Sequence, residues 1–339
     1  MKRAGNLFTR IHSWDNLRVA TAKAMRGKRT RPEVAEFCAD LDRNLALLAR
    51  EIAEGSLQPG GFRQFVIHDP KRRIISAPPF RDRVLHHAIM NVCEPALESF
   101  SIHHSYACRS GKGQFAALEQ AIRFSRKRDF FLKLDVWKYF ESIPKDRLLK
   151  KLARRFKEPR LHALFARIID SFEPDNFRGV PIGALTSQHF ANFYLGYLDR
   201  FVKEKLRVKE YLRYMDDFVL WHDERSVLVD FARSVEAFAD TSLGLNLKQP
   251  HIGESSSGLD FLGHRVYPRG CRLNRRSRRR FRHRYRVVME QWRLGDLDEQ
   301  AVQDRLDSLV AFTRHSACLS WRRGVVSGSG SRPETAPTA

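Results

Sequence analysis

Hydrophobic positions recur along this chain with two different spacings. The first spacing places apolar side chains every three to four positions, as on one face of a helix. It predicts helices over residues 1–60, 82–100, 145–170, 186–206, 226–241, 277–293 and 298–315. Within the first segment, residues 40–50 show the spacing most regularly, and Gly55 follows as a stop.

Shorter apolar runs predict β-strands. Residues 62–76 have the pattern of a hairpin, with strands at 65–67 and 73–75 and a turn at Asp69-Pro70. Further strands are predicted over residues 130–135, 211–221 (a strand pair) and 258–266. Helices and strands alternate without the regular spacing of a doubly wound sheet, so the pattern favours the α+β class.

The charge balance points to the kind of partner. The 339 residues include 61 Lys and Arg against 39 Asp and Glu, a formal net charge of +22. Such an excess favours a polyanionic partner, most simply nucleic acid. The five cysteines are irregularly spaced without a C-x-x-C pair, which argues against a zinc site or a disulfide framework. With no secretory signal and no long apolar run, we expect a cytoplasmic protein without a membrane partner.

The tetrapeptide Tyr214-Met215-Asp216-Asp217 carries the most specific chemical signal. Adjacent side chains of a strand point to opposite faces, so two neighbouring acids are tolerated best at a hairpin turn. Two carboxylates at one turn repel each other and favour a divalent cation between them. The alternative is an ordinary solvated Asp-Asp turn. Asp135 ends a separate apolar strand and would bring a third carboxylate. Three carboxylates at the ends of neighbouring strands can hold two Mg²⁺ ions, as in polymerases.

The order of these segments resembles the palm of a reverse transcriptase. Phe261-Leu262-Gly263 is similar to the primer-grip motif of that family, and residues 68–76 and 80–84 resemble its fingers motifs. The resemblance runs from about residue 62 to 266. It implies a right-hand polymerase with fingers, an antiparallel palm sheet and a thumb, here with an N-terminal helical extension. It also implies a catalytic and metal-binding role for Asp135, Asp216 and Asp217, and RNA-directed DNA synthesis from dNTPs.

Residues 180–188 separate the subfamilies of this family. Their sequence, Val-Pro-Ile-Gly-Ala-Leu-Thr-Ser-Gln, resembles the reverse transcriptases of diversity-generating retroelements, because Ile182 stands where other bacterial members have Gln. That resemblance implies copying of a template RNA into adenine-mutagenised cDNA, with a small basic accessory variability protein as partner. Apolar Ile182 recognises a nucleotide by shape alone and penalises a mispair less than Gln does. The alternative for Ile182 is an ordinary apolar loop anchor.

The resemblance also implies a dNTP site beside the metals. Its predicted residues are Lys71, Arg73, Phe140, Ile182, Gly183 and Gln188. Lys71 and Arg73 lie two apart on a predicted strand and project to one face, where they can clamp a triphosphate. The alternative for this pair is a solvated basic strand edge. An aromatic ring at Phe140 would exclude a 2′-hydroxyl, or it is simply a core residue. Lys248 and His251 are two alternatives for the acid that protonates pyrophosphate.

A second predicted set contacts template RNA and the RNA–DNA duplex. It comprises Arg83, Arg109, Lys112, Phe261, Leu262, Gly263, Arg278, Arg279, Arg282 and Arg286. Phe281, Tyr285, Val288 and Trp292 form an apolar stripe within the last part, which predicts a packed helix surrounded by arginines. A flexible basic tail is the alternative. For Arg83, pairing with Asp82 is an alternative to contact with a phosphate.

These interpretations divide the chain as follows. We expect an N-terminal helical extension (1–60), fingers (61–130), a palm (131–266, with a fingers insertion at about 145–185), a basic helical thumb (267–326) and a disordered tail (327–339). Two other functions stay open, a different bacterial reverse transcriptase such as one used in phage defence, and a non-catalytic RNA-binding protein.

Overall fold

The computed structural model describes residues 3–68, 72–172, 178–314 and 316–328. The chain forms two compact units. The first unit comprises the described residues of 1–111, 134–218 and 230–250. The second unit comprises the described residues of 112–133, 219–229 and 251–339. Among the described helices, none has both the length and the apolar character needed to cross a bilayer.

Helices account for most of the regular structure. In chain order they are α1 (Phe8–Ile11), α2 (Trp14–Ala24), α3 (Pro32–Ala39), α4 (Leu41–Glu54), α5 (Phe80–Glu98), α6 (Gln114–Lys127), α7 (Tyr139–Ser142), α8 (Lys145–Arg155), α9 (Pro159–Asp170), α10 (Leu185–Arg200), α11 (Arg225–Phe238), α12 (Arg275–Arg293), α13 (Glu299–Thr313) and α14 (Leu319–Val326). Short π-helical segments at Phe201–Lys205 and Ala239–Leu243 continue α10 and α11.

The strands form three sheets. They are β1 (Arg63–Ile67), β2 (Arg73–Ala77), β3 (Phe130–Asp135), β4 (Glu210–Tyr214), β5 (Asp217–His222), β6 (His251–Glu254), β7 (Leu259–Phe261), β8 (His264–Tyr267) and β9 (Gly270–Leu273). Strands β1 and β2 pair antiparallel, with Phe65 opposite Ile75. A four-stranded sheet has the order β4-β5-β3-β6, and β7, β8 and β9 form an antiparallel meander.

The four-stranded sheet follows from the two apolar runs that predicted it. Residues 218–221 of β5 are all buried, and so are Phe131, Leu132 and Leu134 of β3. A continuous apolar run is typical of a strand covered on both faces. The two strands are neighbours in the sheet, so the acids that end β3 and begin β5 stand on adjacent strands.

The first unit packs its N-terminal helices around α5. Leu17 and Ala20 of α2 are fully buried, and so are Val84 and Ala88 of α5. Helix α4 buries one face through Leu45, Leu48 and Ile52, and ends at Gly55, whose φ of 71° closes the helix. The regular spacing predicted over residues 40–50 is confirmed.

The second unit has its own apolar cluster near the chain's end. Leu273, Phe281, Cys318 and Trp321 form it, with Phe312 among the residues packed around them. Helix α12 starts at the side chain of Asn274, which accepts a hydrogen bond from Ser277 N at 2.8 Å. The predicted helix over 277–293 is confirmed, with two additional residues at its start.

Several predictions about elements were wrong in detail. The strand at 258–266 is two strands, because Leu262 and Gly263 adopt φ values of 49° and 81° and form a turn. Trp292 is 46% exposed, so the stripe of α12 ends at Val288. Helix α6 and strands β6 and β9 were not predicted. The turn at Asp69-Pro70 and most of the predicted tail lie outside the described residues.

Candidate active site

The turn between β4 and β5 carries the predicted acid pair. Met215 has φ of 53°, a left-handed conformation, and reverses the chain so that Asp216 and Asp217 follow at the start of β5. All three residues are half-buried. A non-glycine residue in this conformation is uncommon and marks a constrained backbone. The hairpin predicted at the tetrapeptide is confirmed.

Asp135 lies close enough to act on this turn electrostatically. Burial raises the pKa of Asp216, and the negative charge of Asp135 raises it further. The positive charges of Lys248 and Arg73 oppose that rise. The structure therefore brings together two acids that are 81 positions apart in sequence, and it places Arg73, a predicted triphosphate ligand, within reach of their field.

Lys248 contacts Asp135 directly. Its Nζ lies 2.6 Å from Asp135 Oδ1, and its backbone N–H donates to Asp135 O at 2.8 Å. Trp137 N donates to Asn246 O at 2.8 Å, so a short paired segment holds Lys248 at the end of β3. Of the two alternatives for a proton donor, Lys248 is at the acids, whereas His251 begins β6 and its ring packs near Phe131.

The charge and oxygen ligands of these acids suit a divalent cation, although their side chains are not already arranged as a metal site. Over residues 3–68, 72–172, 178–314 and 316–328, no three His, Cys, Asp or Glu side chains are already grouped as a metal site. Two carboxylates whose repulsion raises a pKa are nevertheless stabilised by a hard cation between them. Asp135 and Asp216 therefore fit a divalent ion, and the family resemblance predicts Asp217, the next residue in the chain, as a further oxygen ligand.

The loop before α10 is bound to the β1–β2 hairpin, which the sequence assigned to the fingers. Ser76 N of β2 donates to Ile182 O at 2.7 Å. Gly183 has φ of 126°, and a Cβ placed there would lie 2.9 Å from both Ser76 O and Ile75 Cγ2. Only glycine fits this close approach. Ile182 itself is half-buried, as is Gln188 in the first turn of α10.

Phe140 lies against the same loop. Its carbonyl oxygen accepts a hydrogen bond from Val180 N at 2.8 Å, and its ring makes an edge contact with Tyr139 at 5.7 Å between centroids. Tyr139 is buried and its hydroxyl donates to Ala191 O of α10. Phe140 is thus bound through Val180 to the loop that carries Ile182 and Gly183. Lys71 lies outside the described residues.

Two predicted nucleic-acid contacts are engaged by the protein itself. Arg83 pairs with Glu33, and its Nε donates to Pro78 O at 3.2 Å. Arg109 donates to Ile102 O and Ser105 O at 2.6 and 2.8 Å, and pairs with Glu98. Both side chains are at most 15% exposed. Nothing in the sequence indicated this structural role for the two arginines. Apart from Glu98, the groups that accept their hydrogen bonds are backbone carbonyls or a side chain distant in sequence.

The predicted primer-grip segment forms the turn between β7 and β8. Phe261 is fully buried, and Leu262 O accepts a hydrogen bond from Gln114 Nε2 at 3.0 Å. A Cβ at Gly263 would lie 2.8 Å from Ser277 Oγ of α12 and 3.0 Å from the Phe312 ring of α13. This turn is therefore packed tightly against those two helices. Lys112, which precedes α6, is half-buried.

The four predicted arginines of α12 divide into two pairs. Arg279 and Arg286 are exposed. The guanidinium carbons of Arg278 and Arg282 lie 5.5 and 5.6 Å from the centroid of the Trp321 ring. The first pair faces solvent, and the second packs against α14.

Sheet, hairpins and acids together define the class of protein. An antiparallel hairpin with two acids, a third acid ending an adjacent strand, and a fingers hairpin bound to the loop before α10 are the parts of a right-hand polymerase. The structure of apo telomerase from Candida tropicalis shares this fold, with a TM-score of 0.50 at 10% identity over 86% of this chain and 67% of the telomerase chain. At that identity the likeness concerns the fold alone.

Residues 68–266 match the family model described as reverse transcriptase (RNA-dependent DNA polymerase). Because the match covers more than half of the chain, the chain belongs to the reverse transcriptase family. This family consists of RNA-directed DNA polymerases, which are nucleotidyltransferases and generally use divalent metal ions.

Two curated relatives support the assignment at lower coverage. Protein YkfC of Escherichia coli is 27% identical over 272 residues, which are 66% of this chain and 71% of YkfC. The putative COX1/OXI3 intron 2 protein of Saccharomyces cerevisiae is 26% identical over 153 residues, or 43% of this chain. This chain spans only 17% of that intron protein's length.

Proposed function

We propose that this chain copies a retroelement template RNA into cDNA, as the polymerase of a diversity-generating retroelement that introduces errors at template adenines. The observation that supports polymerisation most directly is the position of the acids: Asp135 ends β3, Asp216 and Asp217 stand at the turn that begins the neighbouring strand β5, and the charge of Asp135 acts on Asp216. The proposed substrates are dNTPs, and the proposed partners are the template RNA, the RNA–DNA duplex and a small basic accessory variability protein.

The chain's own residues have distinct roles in this mechanism. Asp135, Asp216 and Asp217 would hold two Mg²⁺ ions, which when bound lower the pKa of the primer 3′-hydroxyl and neutralise charge on the triphosphate. Arg73, whose charge already acts on Asp216, would bind the triphosphate. Lys248, at Asp135, is placed to donate a proton to departing pyrophosphate. Phe140 would pack under the sugar and exclude a 2′-hydroxyl.

Primer extension by the purified full chain tests the catalytic part. We expect an RNA template and a DNA primer to yield extended product with dNTPs and Mg²⁺. Asp216→Asn should yield none, because the amide lacks the charge that binds the cation. Equal extension by the parent and the Asp216→Asn variant would exclude this site. A parent that binds the template but never extends, even with the accessory protein added, would favour a non-catalytic RNA-binding protein.

The mutagenic part depends on the loop at residues 180–188. Apolar Ile182 offers no hydrogen bond to the incoming nucleotide, so a mispaired nucleotide loses less there than at a polar residue. The cDNA made by an Ile182→Gln variant should carry fewer errors at template adenines. Errors at the other template bases in the same cDNA are the internal control. An unchanged adenine error rate would remove Ile182 from the explanation.

The second candidate is another bacterial reverse transcriptase, such as one used in phage defence. The relatives that this chain resembles include an intron protein, which supports a wider range of retroelement settings than diversification alone. Sequencing the flanking DNA separates the candidates. A pair of near-identical repeats that differ mainly at adenines supports diversification, and its absence supports the second candidate.

A further inference from the structure

An ion pair without any exposure to solvent lies behind the acid turn. Arg213 of β4 and Asp199 of α10 are both 0% exposed. Arg213 Nε donates to Asp199 Oδ1 at 2.7 Å, and the terminal Nη2 donates to Oδ2, also at 2.7 Å. Tyr211 donates its hydroxyl hydrogen to Asp199 Oδ1 at 2.6 Å. Both oxygens of the carboxylate therefore bind one edge of the planar guanidinium, in the bidentate geometry that only arginine allows.

The remaining donors of Arg213 connect two parts of the polymerase site. Nη1 donates to Met215 O at 2.9 Å and to Asn192 Oδ1 at 2.8 Å, and Nη2 also donates to Asn192 O at 3.1 Å. Met215 is the left-handed residue of the turn. Asn192 belongs to α10, the helix that begins at the Ile182–Gly183 loop. One side chain thus holds the acid turn and the helix of the predicted dNTP site together.

Stability alone does not account for this arrangement. Well-packed apolar residues usually stabilise a fold as well as a buried ion pair does. What the ion pair adds is direction: a guanidinium fixed by a carboxylate presents its other N–H groups along set lines. Burial opposes the charge of Arg213, but the neighbouring Asp199 carboxylate raises its pKa overall, so the guanidinium stays protonated and keeps all its donors.

We propose that Arg213, oriented by Asp199, is a positioning residue that holds the Met215 carbonyl and thereby sets the direction of the Asp216 and Asp217 carboxylates for metal binding. This inference rests on the proposed polymerase function. It goes beyond that function because the side chain of Arg213 is fully buried and acts through the Met215 carbonyl.

Two single variants separate positioning from charge balance. Arg213→Lys keeps a positive partner for Asp199 but has one nitrogen, which cannot also reach Met215 O and Asn192. Asp199→Asn removes the negative charge but leaves Arg213 able to bind Met215 O. A charge-free double variant, Arg213→Gln with Asp199→Asn, covers the case in which Arg213→Lys does not fold.

Three measurements on the full chain compare these variants with the parent. The first is amide hydrogen exchange, without metal, of peptides that cover residues 210–222. The second is Mn²⁺ binding, followed by the electron paramagnetic resonance of the free ion. The third is kcat and KM for dNTP in primer extension. For Arg213→Lys we expect faster exchange at the turn, about 10–100-fold weaker Mn²⁺ binding, and a kcat about 100-fold lower with little change in KM. Asp199→Asn keeps the donors of Arg213 but loosens their orientation, so it should lower Tm and change Mn²⁺ binding and kcat in the same direction by a smaller factor.

The outcomes are distinct from those of the proposed function. Parent-like exchange and Mn²⁺ affinity in Arg213→Lys would overturn the inference. So would losses in both single variants that follow their Tm values alone. If the parent itself does not extend a primer, the proposed function fails, while the exchange and Mn²⁺ measurements still decide whether Arg213 fixes the turn.

Discussion

The side chains of Lys248 and Asp135 form an ion pair, with Nζ 2.6 Å from Oδ1. The ammonium group reduces the negative charge at a site where Asp135 and Asp216 repel each other, and it lowers the pKa of Asp216 against the effects of burial and Asp135. Lys248 therefore keeps Asp216 closer to its ionised, metal-binding state. In the proposed mechanism this same lysine is the proton donor to pyrophosphate.

Replacing Lys248 should shift the pH dependence of activity. Metal binding needs ionised Asp216, so activity falls as pH drops through the raised pKa of that residue. Lys248→Met removes a charge that lowers this pKa, and the acidic limb should therefore move to higher pH. The measurement is kcat/KM for single-nucleotide incorporation against pH. Lys150→Met, at an exposed lysine paired with Asp146, is the control and should keep the parent's limb. An unshifted limb in Lys248→Met would contradict this account.

Asp216→Asn should abolish extension and yet raise thermal stability. Because the folded state raises the pKa of Asp216, the native protein binds its proton more tightly than the unfolded chain does. Stability is therefore lost as pH rises from the usual aspartate pKa through the raised one. The variant removes that loss, so its Tm in a chelator should exceed the parent's at neutral pH. The difference should vanish at acidic pH, where both side chains are neutral, and a lower Tm at neutral pH would refute the argument.

The acids were predictable from sequence, whereas their surroundings were not. Asp135 and the Asp216-Asp217 pair each border an apolar strand, so a local pattern marks them. Lys248 follows a segment whose apolar residues show no clear period. Its contact with Asp135 depends on the pairing of residues 136–137 with residues 246–247. Arg213 was visible as a charge inside an apolar strand, but its acceptors lie on α10 and at the turn. Contacts of this kind depend on the tertiary fold, which no local spacing specifies.

The large positive charge was also only partly informative. Several arginines donate hydrogen bonds to backbone carbonyls of the protein itself. Arg155 Nε binds Ala96 O at 2.7 Å, Arg147 binds Thr241 O at 3.0 Å, and Arg3 binds Ala153 O at 3.0 Å. Guanidinium groups used in this way bind carbonyl groups in the last turns of helical segments. The net charge therefore overstates how many cations are available to a nucleic acid.

Gly183→Ala should damage the nucleotide site more than the fold. The added Cβ would lie 2.9 Å from Ser76 O, and the φ of 126° is strained for alanine. A strained position of this kind costs about 1–3 kcal/mol, and relief requires the loop to leave Ser76. We expect a raised KM for dNTP with a modest fall in Tm. Gly61→Ala is the matched control, because a Cβ there meets nothing within 4 Å. A parent-like KM in Gly183→Ala would show that the loop's contact with β2 does not shape the site.

The two arginine pairs of α12 should respond differently to substitution. Arg279 and Arg286 are exposed, so changing both to Gln should weaken binding to an RNA–DNA duplex and reduce the slope of log affinity against log salt by about 1 per phosphate contact. The Tm of this double variant should match that of the parent. Arg278 and Arg282 lie over the Trp321 ring, and each such contact stabilises by about 0.5–1 kcal/mol. Changing Arg278 and Arg282 to Gln should instead lower Tm. The slope of log affinity against log salt should change only in the variant that lacks Arg279 and Arg286. If the exposed pair leaves the salt slope unchanged, α12 does not contact the nucleic-acid backbone.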